Sequence, residues 1–287
     1  MKYAIIADVH GNLEALEAVL ADARARACTH YCCLGDVVGL GPNPRECLEV
    51  VRQMGMPCVR GEYDESSSTE DELEGFNPAA VESVRWTRGQ LPPDDKQWLR
   101  ELKLIRLVGS FTLVHATLDQ PHRWAGVFDK LMAAASFIYQ NTSVCFFGHT
   151  HVPTAFVRDA VVRGGTYSKF RVEPGRKYFV NVCSVGQPSD GNPKSGYAVY
   201  DLDESSIELC RLDYDIPQTQ AKIRAAGLPA RLADGLAFGK GEAQPWNDSF
   251  PRKFASPRPE PPPPAPATGQ PSVWQRIRSW GTRPPQG

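Results

Sequence analysis

Short apolar runs end abruptly in acids or histidines along much of this chain. The first, residues 3–7 (YAIIA), is stopped by Asp8 and has the length of a buried strand. Residues 12–26 then repeat apolar positions at helical spacing, with Leu13, Leu16, Val19 and Leu20 on one face. A second strand is predicted over residues 31–34. A helix follows over 44–54, with Pro44 suited to its first turn, and a third strand over 57–60. This βαβαβ order predicts parallel strands joined by right-handed crossovers. The polar segment 66–75, with its run SSSTEDELE, interrupts the rhythm and reads as a solvated loop or a helix start.

After a predicted helix over 92–102, short strands dominate, at residues 104–108, 111–114, 144–147, 154–157, 178–182, 196–201 and 207–212. Connections as short as Gly109-Ser110 predict antiparallel pairing for several of them. The fold class is therefore α/β, with two mixed β-sheets packed face to face and flanked by helices. Residues 221–238 are expected to form a helical hairpin broken at Gly227-Leu228-Pro229.

The folded domain is predicted over residues 1–240 and a Pro-rich tail over 241–287. From residue 251 onward the tail holds eleven prolines and six Lys/Arg against one acid, a composition that predicts disorder with polyproline II character. Its terminal stretch SVWQRIRSW sets Trp274, Ile277 and Trp280 at amphipathic spacing; a plain linker end is the favoured reading, with a docking motif for a protein partner or a membrane as the alternative.

Composition adds exclusions. Apolar residues make up 41% of the chain, enough for a substantial core, and the net charge of −1 gives no overall pull toward nucleic acid or acidic lipid. No stretch approaches the roughly 20 apolar residues of a membrane span. The five-residue apolar run at the N-terminus is too short for a secretion signal. The eight cysteines form no CxxC framework and fall largely in strand-like runs, so the expected setting is a reducing cytoplasm, without a cysteine-based zinc site.

The chemistry sits at the strand ends. Four apolar runs lead into Asp8, Asp36, His115 and His149, and a fifth leads through Gly61 into Glu62. Ligands of open α/β sheets gather beyond the carboxyl ends of strands, so these side chains are expected to converge. Asp8-Val9-His10 and His149-Thr150-His151 each place two such residues two apart as strand gives way to loop. Four of the six histidines lie in these turns; His30 and His122 lack that context and read as surface residues. A turn or cap explains one such residue, not five strand ends alike. Imidazoles and carboxylates without thiolate suit Mn²⁺, Fe or Zn²⁺ rather than Ca²⁺ or Mg²⁺. Seven candidate ligands (Asp8, His10, Asp36, Glu62, His115, His149, His151) exceed one tetrahedral zinc and imply two divalent ions.

In that order the motifs Asp8-Val9-His10, Gly35-Asp36-Val37-Val38-Gly39, Gly61-Glu62-Tyr63-Asp64, Val114-His115-Ala116 and Gly148-His149-Thr150-His151 resemble the calcineurin-like metallophosphoesterases. The block over 179–201 is similar to the closing segment of small prokaryotic members, and the resemblance runs to about residue 240. It implies an α/β/β/α sandwich in which Asp8, His10 and His151 hold one ion and Asp36 bridges. His115, His149 and the residue at position 62 would hold the other, with Mn the expected metal and a metal-bridging hydroxide as nucleophile.

Two positions depart from the family. Its third motif usually reads Gly-Asn-His-Asp, whereas here Glu62 and Tyr63 follow Gly61. A carboxylate at 62 adds a negative charge to the site, which should tighten metal binding and weaken the pull on a phosphate dianion. A tyrosine phenol titrates near 10, so Tyr63 is a poor proton shuttle at neutral pH. In the family the Asp64 position orients the histidine that Tyr63 replaces, which leaves Asp64 without its usual role. Cys183 stands where relatives usually carry a loop glycine. The favoured function is hydrolysis of phosphate esters, diesters ahead of monoesters, on a small-molecule or nucleotide substrate. The alternatives are a phosphomonoesterase acting on phosphoprotein or (di)nucleotides, and a catalytically weakened metal-binding interaction module.

Overall fold

In the computed structural model, which describes residues 1–241, the run 144–147 alternates sides. Val144 and Phe146 enter one buried cluster, Cys145 and Phe147 another. That period of two marks a strand with apolar layers on both faces.

The chain opens with β1 (Lys2–Ile6), α1 (Leu13–Ala25), β2 (His30–Cys33) and α2 (Pro44–Gln53). Three helices follow: α3 (Glu62–Ser68), α4 (Pro78–Gln90) and α5 (Pro93–Glu101). Next come β3 (Ile105–Val108), β4 (Phe111–Val114), a 3-10 turn at Pro121–Arg123, α6 (Lys130–Tyr139) and β5 (Val144–Phe147). The remaining strands are β6 (Ala155–Arg158), β7 (Val162–Gly165), β8 (Lys169–Arg171), β9 (Lys177–Asn181), β10 (Ser195–Asp201) and β11 (Ser206–Leu212). Helices α7 (Ile216–Ala225) and α8 (Ala230–Leu236) close the described chain.

The strands form two sheets, ordered β2-β1-β10-β11-β8 and β3-β4-β5-β9-β6-β7. Both are mixed. β1 runs parallel to β2, and β4, β5 and β9 run parallel to one another, while the other pairs are antiparallel. Ile5, Ala198 and Tyr200 of the first sheet share a core with Phe111, Phe146 and Val180 of the second. Helix α1 packs on β10 and β11, and α6 packs on β6, β7 and β9, so helices cover the outer faces. The two-sheet α/β architecture is as predicted.

The local differences have physical causes. Residues 57–60 do not form a third strand; they make only the isolated bridges Cys33–Cys58 and Val59–Lys103. Pro57 has no amide hydrogen to donate, and Gly61 turns the chain directly into α3. The polar run at 66–75 is split. Its three serines finish α3, whose first turn carries Glu62, Asp64 and Glu65, acids that suit the positive end of a helix dipole. Helix α6 went unpredicted because KLMAAASFIY is apolar nearly all round, although Asp129 caps it through the Leu131 and Met132 amides. The predicted hairpin is present as α7 and α8, with α7 already begun at Ile216. The predicted tail, including Trp274, Ile277 and Trp280, lies outside the described residues apart from Gly241.

Candidate metal centre

Strands β1 and β2 of one sheet and β4 and β5 of the other end on the same side of the molecule. Asp8 N–H donates to the Gly35 carbonyl at 3.0 Å, and Gly148 N–H to the His115 carbonyl at 2.9 Å. The β9–β10 connection folds over this junction. Val185 and Gly186 amides donate to the Ala7 and Asp8 carbonyls, each at 2.9 Å, and Ser184 Oγ donates to the Asp8 carbonyl, also at 2.9 Å.

Five residues here adopt the left-handed backbone region: Asp8 (φ 54°), His10 (49°), Asp36 (51°), His149 (67°) and His151 (57°). Non-glycine residues adopt it at a cost that surrounding structure must offset, and such positions cluster at functional sites. Cys183, where the family usually has glycine, is also left-handed at φ 74°.

The turns bring the side chains together in two buried groups. Asp8, His10 and His151 form one, and Asp36, His115 and His149 the other, with ligand atoms in each group within 4.8 Å of one another. Asp36 Oδ2 lies 3.7 Å from His10 Nε2 and 3.3 Å from His115 Nε2, so one carboxylate oxygen faces both groups. Asp8 Oδ1 stands 3.6 Å from His151 Nε2 and 3.9 Å from His115 Nε2. His10 Nε2 and His151 Nε2 are 3.1 Å apart.

Backbone carbonyls hold the imidazole rings. His115 Nδ1 donates to Leu34 O at 2.7 Å and His151 Nδ1 to Gln187 O at 2.6 Å. The His149 ring is hydrogen-bonded to the backbone of Trp124. Because a carbonyl only accepts, Nδ1 of His115 and of His151 carries a proton, and Nε2 of each is left facing the cluster. His115 Nε2 and His149 Nε2 are buried without a hydrogen-bond partner, the arrangement expected of ligand nitrogens steadied from behind.

Charge points the same way. Burial pushes Asp8 well above the usual carboxylate range, with Asp36 adding to it and His115 opposing. Burial also opposes ionisation of Asp36, but the His115, His10 and His149 rings outweigh it and hold that carboxyl below its usual range. His10 and His149 are pushed down to about 4, mainly by burial, and His151 lies well below its ordinary value for the same reason. Neutral imidazole is the ligand form. His115 goes up to about 10 despite burial, because Asp36 and Asp8 favour a positive charge beside them. The donor set calls for cations at its centre, and divalent metal fits.

The third motif behaves differently. Glu62 is the first residue of α3 and belongs to neither group of three. Its carboxyl is pushed up to about 7 by burial and then by Asp36. Tyr63 donates its amide to Asp36 Oδ1 at 2.8 Å, and its ring packs edge-on between His10 and Phe76, 4.9 Å and 5.2 Å between centroids. Asp64 accepts the amides of Val37 (2.8 Å), Val38 (3.2 Å) and Gly61 (3.1 Å), tying the Asp36 turn to α3. His30 and His122 are exposed. Sequence reading missed Gln187, Trp124 and the Leu34 carbonyl, which act through main-chain atoms. It also missed Asn181, which donates to Gly148 O at 2.6 Å and Thr150 Oγ1 at 3.0 Å.

Residues 1–205 match the family model of the calcineurin-like phosphoesterase superfamily domain. The chain belongs to this superfamily. The phosphoesterase domain is similar to a crystallised metallophosphoesterase from Sphaerobacter thermophilus, at 38% identity, a TM-score of 0.74, and coverage of 83% of this chain and 99% of that one. An uncharacterised protein of Methanocaldococcus jannaschii is 32% identical over 243 residues, 83% of this chain and 98% of its own. A hypothetical protein from Pyrococcus horikoshii shares the fold at 19% identity and a TM-score of 0.68, over 83% of this chain and 98% of that chain. The family implies divalent metal ions, and the phosphoesterase domain offers two candidate sites for them. No helix among the described residues is long and apolar enough to cross a membrane.

Proposed function

We propose that the protein hydrolyses phosphate esters, phosphodiesters ahead of monoesters, at a two-metal site, with Mn²⁺ as the resident metal and the cytoplasm as its setting. The observation that carries the reading is the Asp36 carboxylate, whose single oxygen faces His10 and His115 across the two groups. Asp8, His10 and His151 would hold one ion, His115, His149 and Glu62 the other, with Asp36 shared. Two such ions would supply Lewis acidity that polarises the phosphoryl group and activates water.

The chain's own residues do the rest. The Leu34 and Gln187 carbonyls orient His115 and His151 so that Nε2 of each faces the cluster, and the Trp124 backbone holds the His149 ring. Asp64 fixes the Asp36 turn, and the Tyr63 amide orients the Asp36 carboxylate. A carboxylate at 62 lowers the positive field on a bound phosphate. A monoester dianion suffers more from that than a diester with one charge, which favours the diester.

The test is turnover of bis(p-nitrophenyl) phosphate and p-nitrophenyl phosphate with added Mn²⁺. Faster turnover of the diester supports the reading, and a monoester preference replaces it with a phosphomonoesterase. Turnover of neither, with metal bound, makes the chain an interaction module.

A further inference from the structure

One aromatic residue stands at the metal centre without belonging to the core. Trp124 follows the 3-10 turn Pro121–Arg123 and adopts a left-handed backbone, φ 52° and ψ 34°. A bulky residue at positive φ is an outlier that surrounding structure must hold in place. Leu118 and Val127 on the same loop are buried in the cluster beneath α6, but Trp124 is not part of that cluster and stays partly exposed. Its ring meets His115 at 5.8 Å between centroids and 74° between planes, while its backbone is hydrogen-bonded to the His149 ring. Main chain and indole are therefore both tied to the Asp36–His115–His149 group. The backbone contact needs no particular side chain, so it leaves the choice of tryptophan unexplained.

We propose that Trp124 is a specificity-determining platform: its indole receives the organic group of a phosphate ester, favouring planar aromatic groups over small alkyl ones. A phosphoryl group held by the His115–His149 side would carry its ester substituent toward solvent, and the partly exposed indole beside His115 is within reach of it. Stacking on an indole rewards any planar ring and gives an alkyl group little. The inference rests on the phosphoesterase reading above and adds the class of ester.

Phenylphosphonate, methylphosphonate and inorganic phosphate test it by calorimetric titration of Mn²⁺-loaded protein, since none of the three has an ester to hydrolyse. Phenylphosphonate should bind about tenfold more tightly than methylphosphonate. Trp124→Ala should bring that ratio close to one, and Trp124→Phe should keep most of it, with phosphate binding and metal content retained in both variants. Equal binding of the two phosphonates by the parent protein, or a ratio that survives Trp124→Ala, overturns the platform and leaves the phosphoesterase reading standing. Loss of metal from both variants also overturns it, because the indole is then only a support for His149. Failure of the metal-loaded parent to bind any of the three sinks the phosphoesterase reading and the platform together.

Discussion

A Cβ built on Gly61 would lie 2.1 Å from Asp36 Oδ1. Space, not conformation, requires glycine there, because Gly61 has an extended backbone (φ −101°, ψ 176°) open to any residue. The same Asp36 oxygen accepts the Tyr63 amide at 2.8 Å, so the carboxylate has nowhere to retreat without losing that bond. Gly61→Ala should cost about 1–3 kcal/mol in thermal unfolding and weaken metal binding measured by titration calorimetry. Gly89→Ala is the control. It lies within α4 with open space around it, and should gain about 0.5–1 kcal/mol. Undiminished metal affinity in Gly61→Ala would show that the orientation of Asp36 is not what the site depends on.

Sharing of Asp36 gives a prediction about stoichiometry. Protein loaded with Mn²⁺ should carry about two ions per chain by elemental analysis. Asp36→Asn should lose both or nearly both, since its carboxylate faces His10 at 3.7 Å and His115 at 3.3 Å. One tight ion indifferent to Asp36→Asn would contradict the shared-ligand arrangement.

Six side chains of the candidate centre were legible in the sequence because each follows an apolar strand, and strand ends are where such a sheet presents ligands. The face-to-face sheets were legible for a related reason: the run 144–147 is apolar at every position and 111–114 at all but Thr112, as suits strands covered on both sides. Residues 57–60 looked like one more strand because Cys58 and Val59 are equally apolar and buried, yet the chain pairs there only through single bridges. The support behind the rings was invisible. Leu34 and Gln187 contribute carbonyls and Trp124 its backbone, which every residue possesses, so no residue type announces them. The left-handed turns at Asp8, His10, Asp36, His149 and His151 were equally hidden, since only glycine advertises positive φ in a sequence.

Thiol chemistry offers an independent check on the core. All eight cysteines are free and buried. Burial pushes Cys28 and Cys210 up to about 11, and Cys32 and Cys183 to about 12. A thiol-specific reagent at pH 8 should therefore label none of them in the native protein and all eight in urea, read by mass spectrometry. The sign of the pH effect follows. The unfolded chain ionises Cys28, Cys32, Cys183 and Cys210 near pH 8.5–9, while burial keeps these four protonated in the folded chain. The contribution is present below that range and is lost as pH rises toward about 12. Rapid labelling of any cysteine under native conditions would contradict the packing around it.

The third motif gives the sharpest test of how this chain differs from its relatives. Glu62 is partly buried and its carboxyl is pushed up to about 7, by burial first and by Asp36 second. A group so placed would ionise most readily beside bound cations, where its charge would hold metal and damp the field on phosphate. Glu62→Asn should accordingly weaken Mn²⁺ binding and raise turnover of p-nitrophenyl phosphate at saturating Mn²⁺, with a smaller gain for the diester. Tyr63 occupies the family's usual histidine position, but its ring is packed between His10 and Phe76. Adding Tyr63→His should raise turnover further for esters with poor leaving groups, where general-acid help is typically worth about 10² to 10⁴-fold. The same change removes ring packing, so the double variant should also melt at a lower temperature. Loss of all activity in Glu62→Asn would make the carboxylate an essential ligand or the base that activates water, and the damping role would be wrong.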